Sequence, residues 1–220
     1  MKELLSDAIQ IMQSSIERVL PNRAVREALR NRSFPEGRLI VVSIGKAAWE
    51  MARAAEETIG KQIDRGIVIT KYGHCKAKLA CFEQYEAGHP VPDENGVRAT
   101  ERALEFVKDL SAEDTVLLLL SGGGSALFEK PLLPLSELED LTQQLLASGA
   151  NISEINTIRK RFSAVKGGRF ALACMPAKVE TLILSDVLGD DPGAIASGPA
   201  YPDQSTAQHA LQIADRYALK

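Results

Sequence analysis

No run of about 18 apolar residues occurs in this chain, so no helix of it can cross a bilayer. An excess of one charge sign is also lacking. With 26 lysines and arginines against 29 aspartates and glutamates, the formal net charge is −3. That leaves no electrostatic footprint for nucleic acid or for an anionic membrane surface. The basic run Arg159-Lys160-Arg161 is too short to change this. Cysteine is sparse and odd in number, at Cys75, Cys81 and Cys174. This argues against a disulfide framework and fits free thiols in a reducing cytoplasm. His74 near Cys75 and Cys81 has no second ligand pair at zinc-site spacing, so a structural zinc is not expected. No internal repeat or low-complexity segment is visible. Neither the P-loop pattern G-x-x-x-x-G-K-[ST] nor the dinucleotide pattern G-x-G-x-x-G accounts for the glycines of the chain.

What is present is an ordinary globular composition, 220 residues with 45% hydrophobic and 25% charged, enough for one large domain or two small ones. The opening MKELLSDAIQIMQSSIERVL alternates charged and apolar residues at helical spacing and lacks the continuous apolar core of a signal peptide. Residues 1–29 therefore read as one or two amphipathic helices with a break at Pro21. Strands are expected at 38–44 (RLIVVSI), 65–70 (RGIVIT), 82–87, 115–120 (TVLLLL) and 179–185 (VETLILS). Helices are expected at 47–59, closed by Gly60; at 96–110; at 135–148, capped by Ser136 and ended by Gly149; at 151–174, interrupted at Gly167-Gly168; and at 206–219. Continuous apolar strands alternating with helices imply an α/β fold: a mostly parallel, Rossmann-like sheet between two helical layers, three layers in all. Ligands of such sheets bind beyond the carboxyl ends of the strands.

The strand ends carry the chemistry. The first is followed by Gly45 and Lys46, the second by Lys71, Tyr72, Gly73 and His74. The fourth runs into Ser121-Gly122-Gly123-Gly124-Ser125, and the fifth into Ser185, Asp186, Gly189, Asp190 and Asp191, then Ser197-Gly198-Pro199. One glycine makes a turn; three in a row cost backbone entropy and expose amides to close approach by an anion, most often phosphate. A lysine at a helix start opposes the helix dipole unless an anion compensates it, which favours a ligand at Lys46 over a merely solvated side chain. Carboxylates beside a phosphate loop call for a cation, and Mg²⁺ is the usual one; an Asp-rich turn is the plain alternative. Asn156, Arg159, Lys166, Gly167 and Arg169 read as a cationic wall for carboxylate or phosphate, with Ser163 placed to cap a new helix. Lys160 and Arg161 read as an exposed basic face. His89 in Gly-His-Pro reads as a turn histidine at least as readily as an acid or base.

Taken together, VVSIGKAAWEM, GIVITKYGH, EAGHPVPDENG, LLLLSGGGSAL, INTIRKRFSAVKGGRFA and LILSDVLGDDPGAIASGPAYPDQST resemble the N-terminal domain of the class II glycerate kinases, the glycerate 2-kinase or MOFRL family. The resemblance implies ATP-dependent phosphorylation of glycerate to 2-phosphoglycerate with Mg²⁺. It puts the essential lysine on Lys46, the glycine loop on Ser121 to Ser125, and the Asp-x-x-x-Asp segment on Asp186 and Asp190. The expected site is then Lys46 and Asp190 as catalytic residues and Asp186 with Asp190 on the metal. Ser43, Gly45, Ser121, Gly122, Gly123, Gly124, Ser125, Arg159, Lys166 and Gly167 would contact phosphate or substrate. Members of the family are about twice this length, so the chain is expected to be a fragment lacking the C-terminal domain that completes the cleft. A homodimer is open. Two other readings are a non-catalytic domain binding nucleotide or a hydroxy acid, and a hydroxypyruvate reductase.

Overall fold

Apolar residues at both odd and even positions of a strand demand cover on both faces, and the chain supplies it. The computed structural model describes residues 2–34 and 36–219. Along it run α1 (Lys2–Arg18), α2 (Pro21–Leu29), β1 (Leu39–Ile44), α3 (Ala48–Ile59), β2 (Arg65–Lys71), β3 (Phe82–Ala87), α4 (Glu94–Val107), β4 (Thr115–Ser121), α5 (Gly124–Leu127), α6 (Leu135–Ala147), α7 (Ile152–Arg161), α8 (Arg169–Ala173), β5 (Lys178–Leu184) and α9 (Ala207–Arg216). The five strands pair in parallel in the order β3-β2-β1-β4-β5. The strand order reverses between β1 and β4, so their loops flank the switch-point crevice where ligands of such sheets bind.

Every residue of β1 and β4 is buried. Ile40, Val42, Ile44, Val116, Leu118 and Leu120 face one layer, where Ala99, Ala103, Phe106 and Val107 of α4 and Phe170 of α8 pack. Leu39, Val41, Leu117 and Leu119 face the other, against Trp49, Met51, Ala52 and Ala55 of α3 and Val25 and Leu29 of α2. Each such large side chain contributes about 2 kcal/mol on leaving water. Phe128 and Phe170 meet edge to face with centroids 5.1 Å apart, a geometry that aromatic quadrupoles favour. A smaller cluster, Leu145, Ile155 and Ile158 with Ala210 and Ile213, joins α6, α7 and α9.

The three-layer α/β/α expectation is met, and several local expectations are corrected. The helix expected to run through 151–174 stops at Arg161; turns occupy the stretch up to Gly168, whose φ of 84° starts the short α8. Ser163 caps no helix there: it is buried, bridged to Pro131. Ser136 does not cap α6, which begins at Leu135 behind Pro134 with no side-chain cap. Lys160 and Arg161 are not an exposed face but pair with Asp203, at 3.6 and 2.8 Å. The connection from β2 to parallel β3 contains no helix. Trp49 Nε1–H donates to the Ala77 carbonyl, and Glu86, Gln84 and Glu56 accept from the amides of Cys75, Leu79 and Cys81, which holds that loop against the sheet.

Candidate active site

The loops after β1 and β4 are stitched together at the switch point. Gly45 turns with φ 117°, and a Cβ there would lie 2.4 Å from the Ser121 carbonyl oxygen, so only glycine lets the loops touch. The Lys46 amide donates to the Gly122 carbonyl at 2.9 Å, and the Ala47 amide to Ser121 Oγ at 3.1 Å. Ser121 Oγ in turn donates to the Ile44 carbonyl. His74 bonds the Lys46 carbonyl through Nδ1 at 2.8 Å. Lys46 itself is exposed and lies two residues ahead of α3.

The glycine loop collects groups from three other strand ends. A Cβ on Gly122 would fall 1.9 Å from Asp186 Oδ2, so the carboxylate lies directly on that residue. A Cβ on Gly123 would meet the His89 ring at 3.0 Å and Lys46 Cε at 3.2 Å. Gly124 packs against Ala196, which would be 2.6 Å from its Cβ. Among the described residues, no carbonyl or side chain accepts from the Gly123 or Gly124 amides. Gly123 is half-buried, beside Lys46 and His89, and Gly124 is buried against Ala196.

Other residues expected at the ligand make hydrogen bonds within the protein. Ser43 is fully buried and its hydroxyl donates to the Ala48 carbonyl. Ser121 spends its hydroxyl on β1 and its exit. Lys166, expected in a cationic wall, is fully buried; its ammonium bonds Glu129 at 2.5 Å and the Phe128 carbonyl at 3.1 Å. Burial pulls that ammonium down to about 8 against the pull of Glu129. Arg159 is also buried and donates to the Ser125 carbonyl at 3.0 Å, so it braces the loop from behind. The Gly167 amide is taken by the Ser197 carbonyl. Asp190 is exposed at the end of a turn, with φ 52°.

Three features escaped the sequence reading. Ser125 Oγ and Ser197 Oγ are hydrogen-bonded at 2.9 Å, and Ser197 donates to Asn156 Oδ1 at 2.9 Å, which ties the loop to α7 and to the wall of a cleft of about 390 Å³. Ala196 and Ser197 hold positive φ values of 51° and 59° to make that approach, and strain of this kind persists only where surrounding packing enforces it. Glu129, the buried partner of Lys166, carried no signal in its own neighbourhood. The place of His89 against Gly123 had a signal only in its position after a strand.

The family model described as "Domain of unknown function (DUF4147)" matches residues 7–220. The D-glycerate 2-kinase of Thermotoga maritima is 56% identical over 215 residues, covering 97% of this chain and 51% of its own length. A protein of Agrobacterium vitis with a provisional hydroxypyruvate reductase label is 45% identical over 213 residues, covering 96% of this chain and 48% of its own. The crystal structure of glycerate kinase from Thermotoga maritima superimposes with a TM-score of 0.94 at 54% identity, over 100% of this chain and 53% of that one. The chain thus spans about half the length of the relatives it matches.

Proposed function

The chain belongs to the DUF4147 domain family, and from that premise we propose that it forms the N-terminal part of a glycerate 2-kinase, moving the γ-phosphoryl group of ATP to glycerate to give 2-phosphoglycerate. The observation that carries this reading is the pairing of opposite charges across adjacent glycines: Lys46 against Gly123 and Asp186 against Gly122. Phosphoryl transfer depends on positioning and charge neutralisation rather than on covalent chemistry by the protein, and these parts supply both. Lys46 neutralises charge on the transferred group. The amides of Gly123 and Gly124 hold its oxygens or the substrate carboxylate. A small hydroxy acid then lies over the loop, with Ser125 held beneath it by Ser197.

Mg²⁺ suits the carboxylate that lies on the loop. Asp186 is exposed to a ligand there, and Asp190 follows on the same turn. No cluster of three or more His, Cys, Asp and Glu that could hold a metal exists among the described residues, so Asp186 and Asp190 would share the ion with phosphate oxygens and water. When bound, the ion would offset phosphate charge. The described residues include no helix long and apolar enough to cross a membrane, and a cytoplasmic enzyme is part of the proposal.

Calorimetric titration of the chain with ATP–Mg²⁺ and with glycerate, alongside a phosphate-transfer assay of its native gene product, tests the reading. Lys46→Ala is expected to lower kcat/KM by about 10²–10³-fold, the loss typical of one preorganised charge-stabilising donor. Wild-type turnover in that variant removes the role. Binding without transfer would favour a non-catalytic half that works with a separate partner. The label of the Agrobacterium relative supports a second reading, reduction of hydroxypyruvate by NAD(P)H. No change at the nicotinamide absorbance band with hydroxypyruvate would remove it.

A further inference from the structure

We propose that His89 is the general base of this site, accepting the proton of the substrate hydroxyl through Nε2. This rests on the phosphotransfer reading above. His89 follows β3, two residues beyond its last residue Ala87, and its half-buried ring comes to the middle glycine of the loop: Nε2 and Cδ2 each lie 3.0 Å from the point a Gly123 Cβ would occupy. Lys46 Cε lies 3.2 Å from the same point. The missing side chain of Gly123 is thus the space in which an imidazole and an ammonium group meet one ligand. The other nearby histidine, His74, is spent on the Lys46 carbonyl.

The surroundings suit a base. Lys46, from the loop after β1, and Lys71, at the end of β2, are the charged groups that act on the ring, and with burial they hold it below the ordinary histidine range, burial being the larger cause. Both causes favour the neutral ring, the form able to accept a proton. The carboxylate on its own segment, Asp93, is taken by the Tyr72 hydroxyl at 2.6 Å and the Gly96 amide at 2.9 Å. In the transfer, the hydroxyl oxygen forms a new bond to the γ-phosphorus as the bond from that phosphorus to the bridging oxygen breaks. ADP leaves with the electron pair of the broken bond. The hydroxyl proton passes to Nε2 and returns to water after the product leaves. The same lysine charges then favour deprotonation and reset the ring.

The test is the pH dependence of ATP-dependent glycerate phosphorylation by the native gene product, in wild type, His89→Gln, His89→Ala and Asp190→Asn. Wild-type kcat/KM is expected to fall with unit slope on the acid side, at or below the usual histidine pH. His89→Gln is expected to lose about 10²–10⁴-fold in kcat, to keep its KM for ATP within about twofold, and to lose the acid limb. Added imidazole is expected to restore part of the His89→Ala turnover, which a purely structural role would not allow. Wild-type turnover and a retained acid limb in His89→Gln overturn the assignment, as does loss of the limb in Asp190→Asn alone. Should the variants fail to fold, a wild-type profile flat from about pH 5 to 8 overturns it by itself. A wild type that transfers no phosphate overturns the kinase reading and His89 with it; one that transfers phosphate at the His89→Gln rate overturns only His89.

Discussion

Gly45 and Gly123 are both glycines at a strand exit, yet they answer to different constraints. At Gly45 a methyl group would strike the backbone of Ser121 at a positive φ. Gly45→Ala is expected to cost about 3 kcal/mol from strain and overpacking together, read as a shift in the urea midpoint. At Gly123 the neighbours are ends of flexible or half-buried side chains. Gly123 also holds a positive φ, 88°, so Gly123→Ala should cost about 1–2 kcal/mol of backbone strain, less than Gly45→Ala, and displace Lys46 and His89; calorimetry should find weaker ATP–Mg²⁺ binding beside that smaller midpoint shift. Asp114 is a third kind of residue. It accepts from the Arg38 amide at 2.7 Å, the Arg38 guanidinium at 2.8 Å and the Ser111 amide at 2.6 Å, and those donors hold it far below the usual carboxylate range. Because the folded value is depressed, its stabilisation is complete above the unfolded value near 4 and is lost as pH falls through the folded one. Asp114→Asn is expected to cost about 2 kcal/mol at pH 7 and to flatten the acid side of the stability profile. Lys46, Asp186 and the three glycines could be picked out from sequence because each lies within a few residues of a strand end. The burial of Lys166 could not, because a lysine among glycines and arginines reads as a wall for an anionic ligand until Glu129 is folded onto it.

At the scale of elements, the short α5 is fixed from its far end. Lys166 bonds the Phe128 carbonyl and Arg159 the Ser125 carbonyl, while Glu129 lies between the two cations, 2.5 Å from Lys166 and 3.9 Å from Arg159. One Glu129 oxygen has no partner among the described residues. Lys166→Met is expected to cost about 3 kcal/mol by leaving the buried carboxylate to Arg159 alone, and Lys166→Met with Glu129→Leu to recover only part of that, because the buried Arg159 then loses its carboxylate; denaturation midpoints of the two variants decide it. The helix boundaries show the reach of local signals. The capping box of Asn151 and Glu154 starts α7 through its own two side chains, and Thr206 caps α9 through the His209 amide. Ser136 looked the same in sequence but lost the cap to Pro134, whose position sets the first turn of α6. The expected 151–174 helix ended early because Ser163 and Ala164 are drawn to the Pro131 and Lys130 backbone, a pairing with residues more than thirty positions away.

For the whole molecule, the central strands carry the most burial, and α1 the least: Leu4, Leu5, Ile11 and Met12 are all largely exposed. Amide hydrogen exchange should therefore be slowest in β1 and β4, close to the global unfolding rate, and fastest in α1; comparable protection in α1 and β1 would contradict this packing. By itself the sequence determined where the strands and most of the helices between them lie, that the sheet is parallel and covered on both faces, and that glycines, lysines and carboxylates follow the strands. Those are properties of short segments, set by hydrophobic runs and by the backbone freedom of glycine. The tertiary structure alone decided which strand ends meet. The order β3-β2-β1-β4-β5 puts Lys46 and the glycine loop side by side, brings His89 and Asp186 to adjacent glycines, and withdraws Lys166 and Arg159 into the interior. Proximity and burial arise between segments far apart in the chain, so no local pattern encodes them.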